Sequence, residues 1–145
     1  MEILIVRDDS EGRQSIIDIA LDAGFLSENI RATASEAESL AIMRSFVPDM
    51  AVVDPHLTKD ERFENGLNVI RKALQFNRQC IALCVTLRGE RELGVRAFQA
   101  GAKDYVDLSW PRINGWELLR QKLQVWKGVL ESREVQGSQA HQDPL

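Results

Sequence analysis

The sequence predicts a three-layer α/β domain built on a parallel sheet, and three observations point to it. Five short apolar runs lack the polar alternation of a half-exposed strand, so they are expected to be covered on both faces. Helical patterns separate consecutive runs, the order expected of right-handed strand–helix–strand crossovers. Three of the runs also end in side chains suited to phosphate or metal chemistry. Ile3-Leu4-Ile5-Val6 leads into Arg7-Asp8-Asp9, Ala51-Val52-Val53 into Asp54, and Ile81-Ala82-Leu83-Cys84-Val85 into Thr86. In such sheets ligands bind beyond the carboxyl ends of the strands, so these side chains are expected to share one crevice.

In order, strands are expected over residues 2–6, 29–33, 49–54, 79–85 and 103–107. Helices are expected over 11–23, 35–46, 65–75, 90–100 and 113–131. Ser35 with Glu38 three residues on has the form of a capping box. Gly24 and Gly101 stand where helices stop, as left-handed caps would. Pro48 ends a helical pattern ahead of a strand. The polar stretch 132–145 reads as a disordered tail or the start of a linker.

At 145 residues the chain fits one domain with a real core, spanning residues 1–131. A net charge of −4 argues against a nucleic-acid surface. No apolar stretch approaches the ~20 residues needed to span a bilayer. Met1-Glu2-Ile3 enters a strand directly, without the basic and apolar regions of a signal peptide. Cys80 and Cys84 lie on one expected strand, roughly 13 Å apart at ~3.3 Å per residue, too far for a disulfide. Two such cysteines fit core packing in a reducing cytoplasm.

Asp54 lies opposite Asp8 at the strand ends, and like carboxylates destabilise one another without a cation. That favours a functional acidic pocket over a chance strand end. His56 has no second histidine near it, so it reads as a surface loop residue rather than a zinc ligand. Lys59, Asp60, Glu61, Arg62 and Glu64 read as a solvated loop near the site. In the last helix, Trp116, Leu119, Leu123, Trp126 and Leu130 recur at spacings of three and four. Leu119 and Leu123 are expected against the sheet. Trp116, Trp126 and Leu130 form a candidate interface, because the helix is expected to outrun the domain body and aromatic residues are enriched at interfaces.

With these residues in place, the chain resembles a response-regulator receiver domain of two-component signalling over about residues 2–131. The resemblance implies a flavodoxin-like (βα)5 fold with strand order 2-1-3-4-5. It implies Asp54 as phospho-acceptor, Thr86 as the hydroxyl that meets the phosphate, and Tyr105, in Gly101-Ala102-Lys103-Asp104-Tyr105-Val106, as the switch aromatic. It also implies Mg²⁺ held by Asp8, Asp9 and Asp54, and a signalling module rather than an enzyme. The implied partners are a histidine kinase or another signalling protein, with a homodimer through the last helices. Neither nucleic acid nor a membrane is expected as a partner.

The chain departs from the family pattern in four places. Arg7 stands where the first of two acidic residues belongs. Leu108 takes the place of the lysine after the fifth strand, with Ser109 for the following proline. Leu87 replaces a small residue, and the stretch 55–65 is longer than usual. Phosphoryl transfer to a carboxylate needs positive charge at the transferring group, and Leu108 supplies none. Arg7 has two available placements: beside Asp54 and Asp8 in the cation's electrostatic role, or out in solvent, as strand alternation would direct it.

An atypical receiver with weak or absent phosphorylation is therefore the leading expectation. An ordinary phosphorelay receiver modified on Asp54 is the alternative. A Mg²⁺-dependent phosphohydrolase with an aspartyl nucleophile is a third reading, disfavoured because such enzymes carry a second Asp where His56 stands. Nucleotide binding lacks its glycine-rich phosphate loop.

Overall fold

A computed structural model describes residues 1–57 and 64–142, the last of these by backbone alone from residue 138. Lys59, Asp60, Glu61 and Arg62 lie outside the described residues. Five parallel strands form one sheet in the order β2-β1-β3-β4-β5. They are β1 (Ile3–Val6), β2 (Ile30–Thr33), β3 (Met50–Val53), β4 (Ile81–Thr86) and β5 (Asp104–Asp107). The helices are α1 (Ser10–Asp22), α2 (Glu36–Ile42), α3 (Glu64–Phe76), α4 (Arg91–Ala100) and α5 (Gly115–Gln142). This is the flavodoxin-like fold expected above.

Alternation along each central strand splits the core in two. Leu4, Val6, Ala51, Val53, Ala82 and Cys84 face α2, α3 and α4. Ile3, Ile5, Met50, Val52, Ile81, Leu83 and Val85 face α1 and α5. Both faces are therefore dry, which explains the unbroken apolar runs of β1, β3 and β4. Cys80 and Cys84 are both free and buried in the first layer, and burial pushes the Cys80 thiol up to about 12. Neither thiol is poised to react.

The Ser35 hydroxyl accepts from Glu38 N at 3.1 Å, the expected N-cap. The Glu38 carboxylate reaches Ala34 N at 3.0 Å, one residue before the cap. Gly101 caps α4 at φ 111°, and a Cβ there would meet Leu74. In α3, a Cβ on Gly66 would sit 2.3 Å from Pro55 Cα and 2.4 Å from the Asp54 carbonyl oxygen. Its absence lets α3 press on the backbone that follows Asp54.

Helix α5 corrects two expectations. It continues through Gln142 instead of ending near residue 131, so the stretch 132–142 is helical. Its apolar stripe faces the sheet to the end: Leu130 is 6% exposed and packs in the α1/α5 layer with Trp116 and Trp126. The Trp126 indole N–H donates to Asp104 Oδ2 at 3.1 Å, beside the Lys122 ammonium at 2.8 Å. The Arg133 guanidinium reaches the Gln79 carbonyl at 2.7 Å, so the helix follows the domain past the amino end of β4. Trp116, Trp126 and Leu130 are thus core contacts, and among the described residues the helix's exposed large apolar side chains are Val125 and Val135.

Candidate functional site

The carboxyl ends of β1 and β3 adjoin, with Val6 and Val53 in register, so the residues that follow them meet. A depression of about 270 Å³ opens there, lined by Arg7, Asp8, Asp9, Asp54, His56, Leu87 and Arg88. Asp54 is 7% exposed, and its Oδ1 accepts the His56 backbone N–H at 2.9 Å. Burial raises its pKa to about 6, against the lowering effects of that hydrogen bond and of Arg7 and Arg88. Nearby Asp8 pushes in the same direction as burial.

Arg7 turns inward. It is 2% exposed, although it directly follows the strand and shares the depression with Asp8. Arg7 N still bonds the Thr33 carbonyl at 3.0 Å, and the side chain lies on the α1 side, with Ile3 and Ile5, as alternation directs; it is buried there because it passes over Gly12 of α1. The Arg7 Nε donates to Asp9 Oδ1 at 2.6 Å, and Nη1 lies 3.9 Å from Asp54 Oδ2. The second Asp9 oxygen accepts Gly12 N at 2.7 Å and caps α1. Burial alone would raise the Asp9 carboxyl, but these hydrogen bonds and the Arg7 charge hold it below its usual value. The Arg13 guanidinium binds the Arg7 carbonyl at 2.8 Å and the Asp8 carbonyl at 3.3 Å, pinning the backbone of the same turn.

The β4 and β5 ends are arranged differently. Thr86 is fully buried, and its Oγ1 accepts Arg88 N at 3.0 Å; it is not among the residues lining the depression. Leu87 is exposed at the rim. Leu108, at the lysine position of the family pattern, is 8% exposed and packs in the α1/α5 layer. Ser109 donates from its backbone N at 2.8 Å and its hydroxyl at 2.5 Å to Asp107 Oδ1. Tyr105 is half-buried, with its ring edge-on to Trp110 at 6.3 Å. Burial, reinforced by Asp107, pushes its phenol up to about 12.

Three participants escaped sequence reading. His56 is 7% exposed, not a surface residue: its backbone N–H is tied to Asp54 and the residue lines the depression. Burial lowers its pKa, as does Arg88. Arg88, two residues past Thr86, also lines the depression, and its place just after a strand end is its signal in the sequence. Asp107 is buried at the end of β5, where a carboxylate opposite Thr86 in register could have been singled out. Glu64, read as a solvated loop charge, starts α3 and pairs with Arg96 and, at 3.6 Å, Arg71.

Divalent metals want several oxygen ligands around one point. Among the described residues, no group of three or more His, Cys, Asp and Glu is placed to share an ion. Both Asp9 oxygens are engaged, and a buried guanidinium stands at ion-pair distance from Asp54. Asp8 and Asp54 line the depression, but this donor set is a poor fit to Mg²⁺.

Comparison with known proteins agrees with the fold. Residues 3–110 match the response regulator receiver domain. The chemotaxis protein CheY of Bacillus subtilis (strain 168) is 28% identical over 104 residues, covering 72% of this chain and 82% of that protein. A CheY-like receiver domain protein from Methanospirillum hungatei JF-1 superposes with a TM-score of 0.70 at 24% identity, over 93% of this chain and 97% of that one. A Burkholderia pseudomallei response regulator, solved with a phosphorylated aspartic acid, calcium ion and citrate, superposes at 0.66. It is 21% identical, with 99% of this chain and 75% of that one covered. At these identities the two structures speak for the fold alone. Among the described residues no helix is long and apolar enough to cross a membrane. The match over most of its length makes the chain a member of the response regulator receiver domain family of two-component signalling.

Proposed function

We propose that this receiver works chiefly as a surface for signalling partners, with phosphorylation of Asp54 weak or absent. The observation that carries the reading is Leu108: the position of the family's lysine is a leucine packed in the α1/α5 core. A phosphoryl group arriving on Asp54 would meet no cation from β5. Neutralising charge at the transferring group is the main help a protein gives this chemistry.

Partners of the proposed kind are a histidine kinase or another signalling protein. Self-association through the last helices would use the exposed side of α5, since the tryptophan stripe is committed to the core.

An ordinary phosphorelay receiver remains the second reading. Asp54 lines an open depression, and Thr86 still ends the neighbouring strand. Intact-mass measurement after incubation with a small phosphodonor, alongside the Asp54→Asn variant, separates the two. Little or no ~80 Da adduct supports the partner-surface reading. Rapid, near-complete addition that Asp54→Asn abolishes supports the second reading and overturns the first.

A further inference from the structure

We infer that Arg7 is the resident cation of the Asp54 crevice and that it keeps divalent metal out. This deepens the receiver reading and rests on it. The chain builds a seat for the guanidinium from three sides. Asp9 holds Nε at 2.6 Å while capping α1 with its other oxygen. Arg13 fixes the Arg7 carbonyl. Gly12 leaves the room: a Cβ there would lie 2.3 Å from Arg7 Nε and 2.6 Å from Asp9 Oδ2. A glycine within the first turn of a helix is unfavourable by itself, so its position here is explained by what passes over it.

The seat leaves one group unused. Arg7 Nη1 is buried and makes no hydrogen bond among the described residues. Buried guanidinium nitrogens are ordinarily satisfied. The side chain lines the depression, and Nη1 lies 3.9 Å from Asp54 Oδ2. That is ion-pair distance, not hydrogen-bond distance, which leaves the donor free for an oxyanion at Asp54. An ion bridging Asp8 and Asp54 would sit against this fixed positive charge. In a site shielded from water, such like-charge contact is costly.

Two variants test the inference by different routes. Arg7→Ala removes the cation. Gly12→Ala keeps the arginine but puts a methyl group where Nε lies, and the flexible side chain yields before the helix does. Mg²⁺ binding is read by titration calorimetry of the full chain, with far-UV circular dichroism confirming that each protein is folded. The parent is expected to show no saturable Mg²⁺ binding, and both variants to bind about tenfold or more tighter than the parent's limit. Saturable binding by the parent, or no gain in folded variants, overturns the inference. Should Arg7→Ala fail to fold, Gly12→Ala alone decides. The readout is independent of phosphorylation, so a rapidly phosphorylated parent that does not bind Mg²⁺ would defeat the proposed function and leave this inference standing.

Discussion

The two halves of the crevice carry opposite departures from the receiver pattern. On the β1 side, an arginine stands where a carboxylate is expected, and the fold has built a seat for it from Asp9, Gly12 and Arg13. On the β5 side, the expected lysine is a core leucine, and the charged side chain there is Asp107, buried and held by Ser109. In the arrangement inferred above, the site's cation stands on the β1 side instead of the β5 side. The lesson is that a site's charge count does not define its chemistry. A lysine reaching from β5 leaves the acidic side open to a metal, whereas a guanidinium seated on β1 occupies that side itself.

The comparison breaks most sharply at Leu108. Restoring the family's lysine by Leu108→Lys places an ammonium in the apolar layer under α1 and α5 unless it escapes to the rim. We expect a loss of about 2–4 kcal/mol in urea unfolding. A neutral effect would mean that a side chain at position 108 can turn toward Asp54 without disturbing the core.

Asp54 sharpens the β1 side through pH. Its folded pKa, about 6, lies above its ordinary value of 3.8. As pH rises between about 4 and 6 the unfolded chain loses this proton first, so the group's contribution to stability falls over that window. Above pH 7 the full penalty remains, and below pH 4 it is gone. Asp54→Asn is therefore expected to stabilise the protein by roughly 1–3 kcal/mol at pH 8, with the difference vanishing near pH 4. Parallel stability curves for the two proteins would contradict this. The smallest effect is expected at the β5 end. Ser109→Ala removes the hydroxyl bond to Asp107 but keeps the backbone one, a loss of about 1 kcal/mol in the same unfolding assay.

Much of this was legible beforehand, for identifiable reasons. Strands buried on both faces write themselves as unbroken apolar runs, so β1, β3 and β4 followed from pattern, with Asp8, Asp54 and Thr86 after or at their carboxyl ends, although Thr86 does not line the depression. Helix stops at Gly24 and Gly101 followed from the left-handed backbone that glycine permits, at φ 100° and 111°. The burial of Arg7 was not legible, because alternation gives its side of the sheet but not that α1 covers that side and leaves room for it at Gly12. Gly12 looked like an ordinary helix residue, since its role depends on a side chain from the preceding turn lying across it. The inward face of Trp126 and Leu130 hid behind the same three-and-four spacing that an outward interface would show. Only the path of α5 along the domain separates the two.

The most direct measurement is an NMR titration of uniformly ¹⁵N-labelled protein with Mg²⁺, following the Arg7 Nε–H signal assigned by its loss in Arg7→Lys. The account predicts a proton shielded from exchange by its bond to Asp9 and unmoved as Mg²⁺ is added. A signal that exchanges as fast as a surface arginine, or that shifts in step with saturable Mg²⁺ binding, would show that the metal and not Arg7 is the cation of this site.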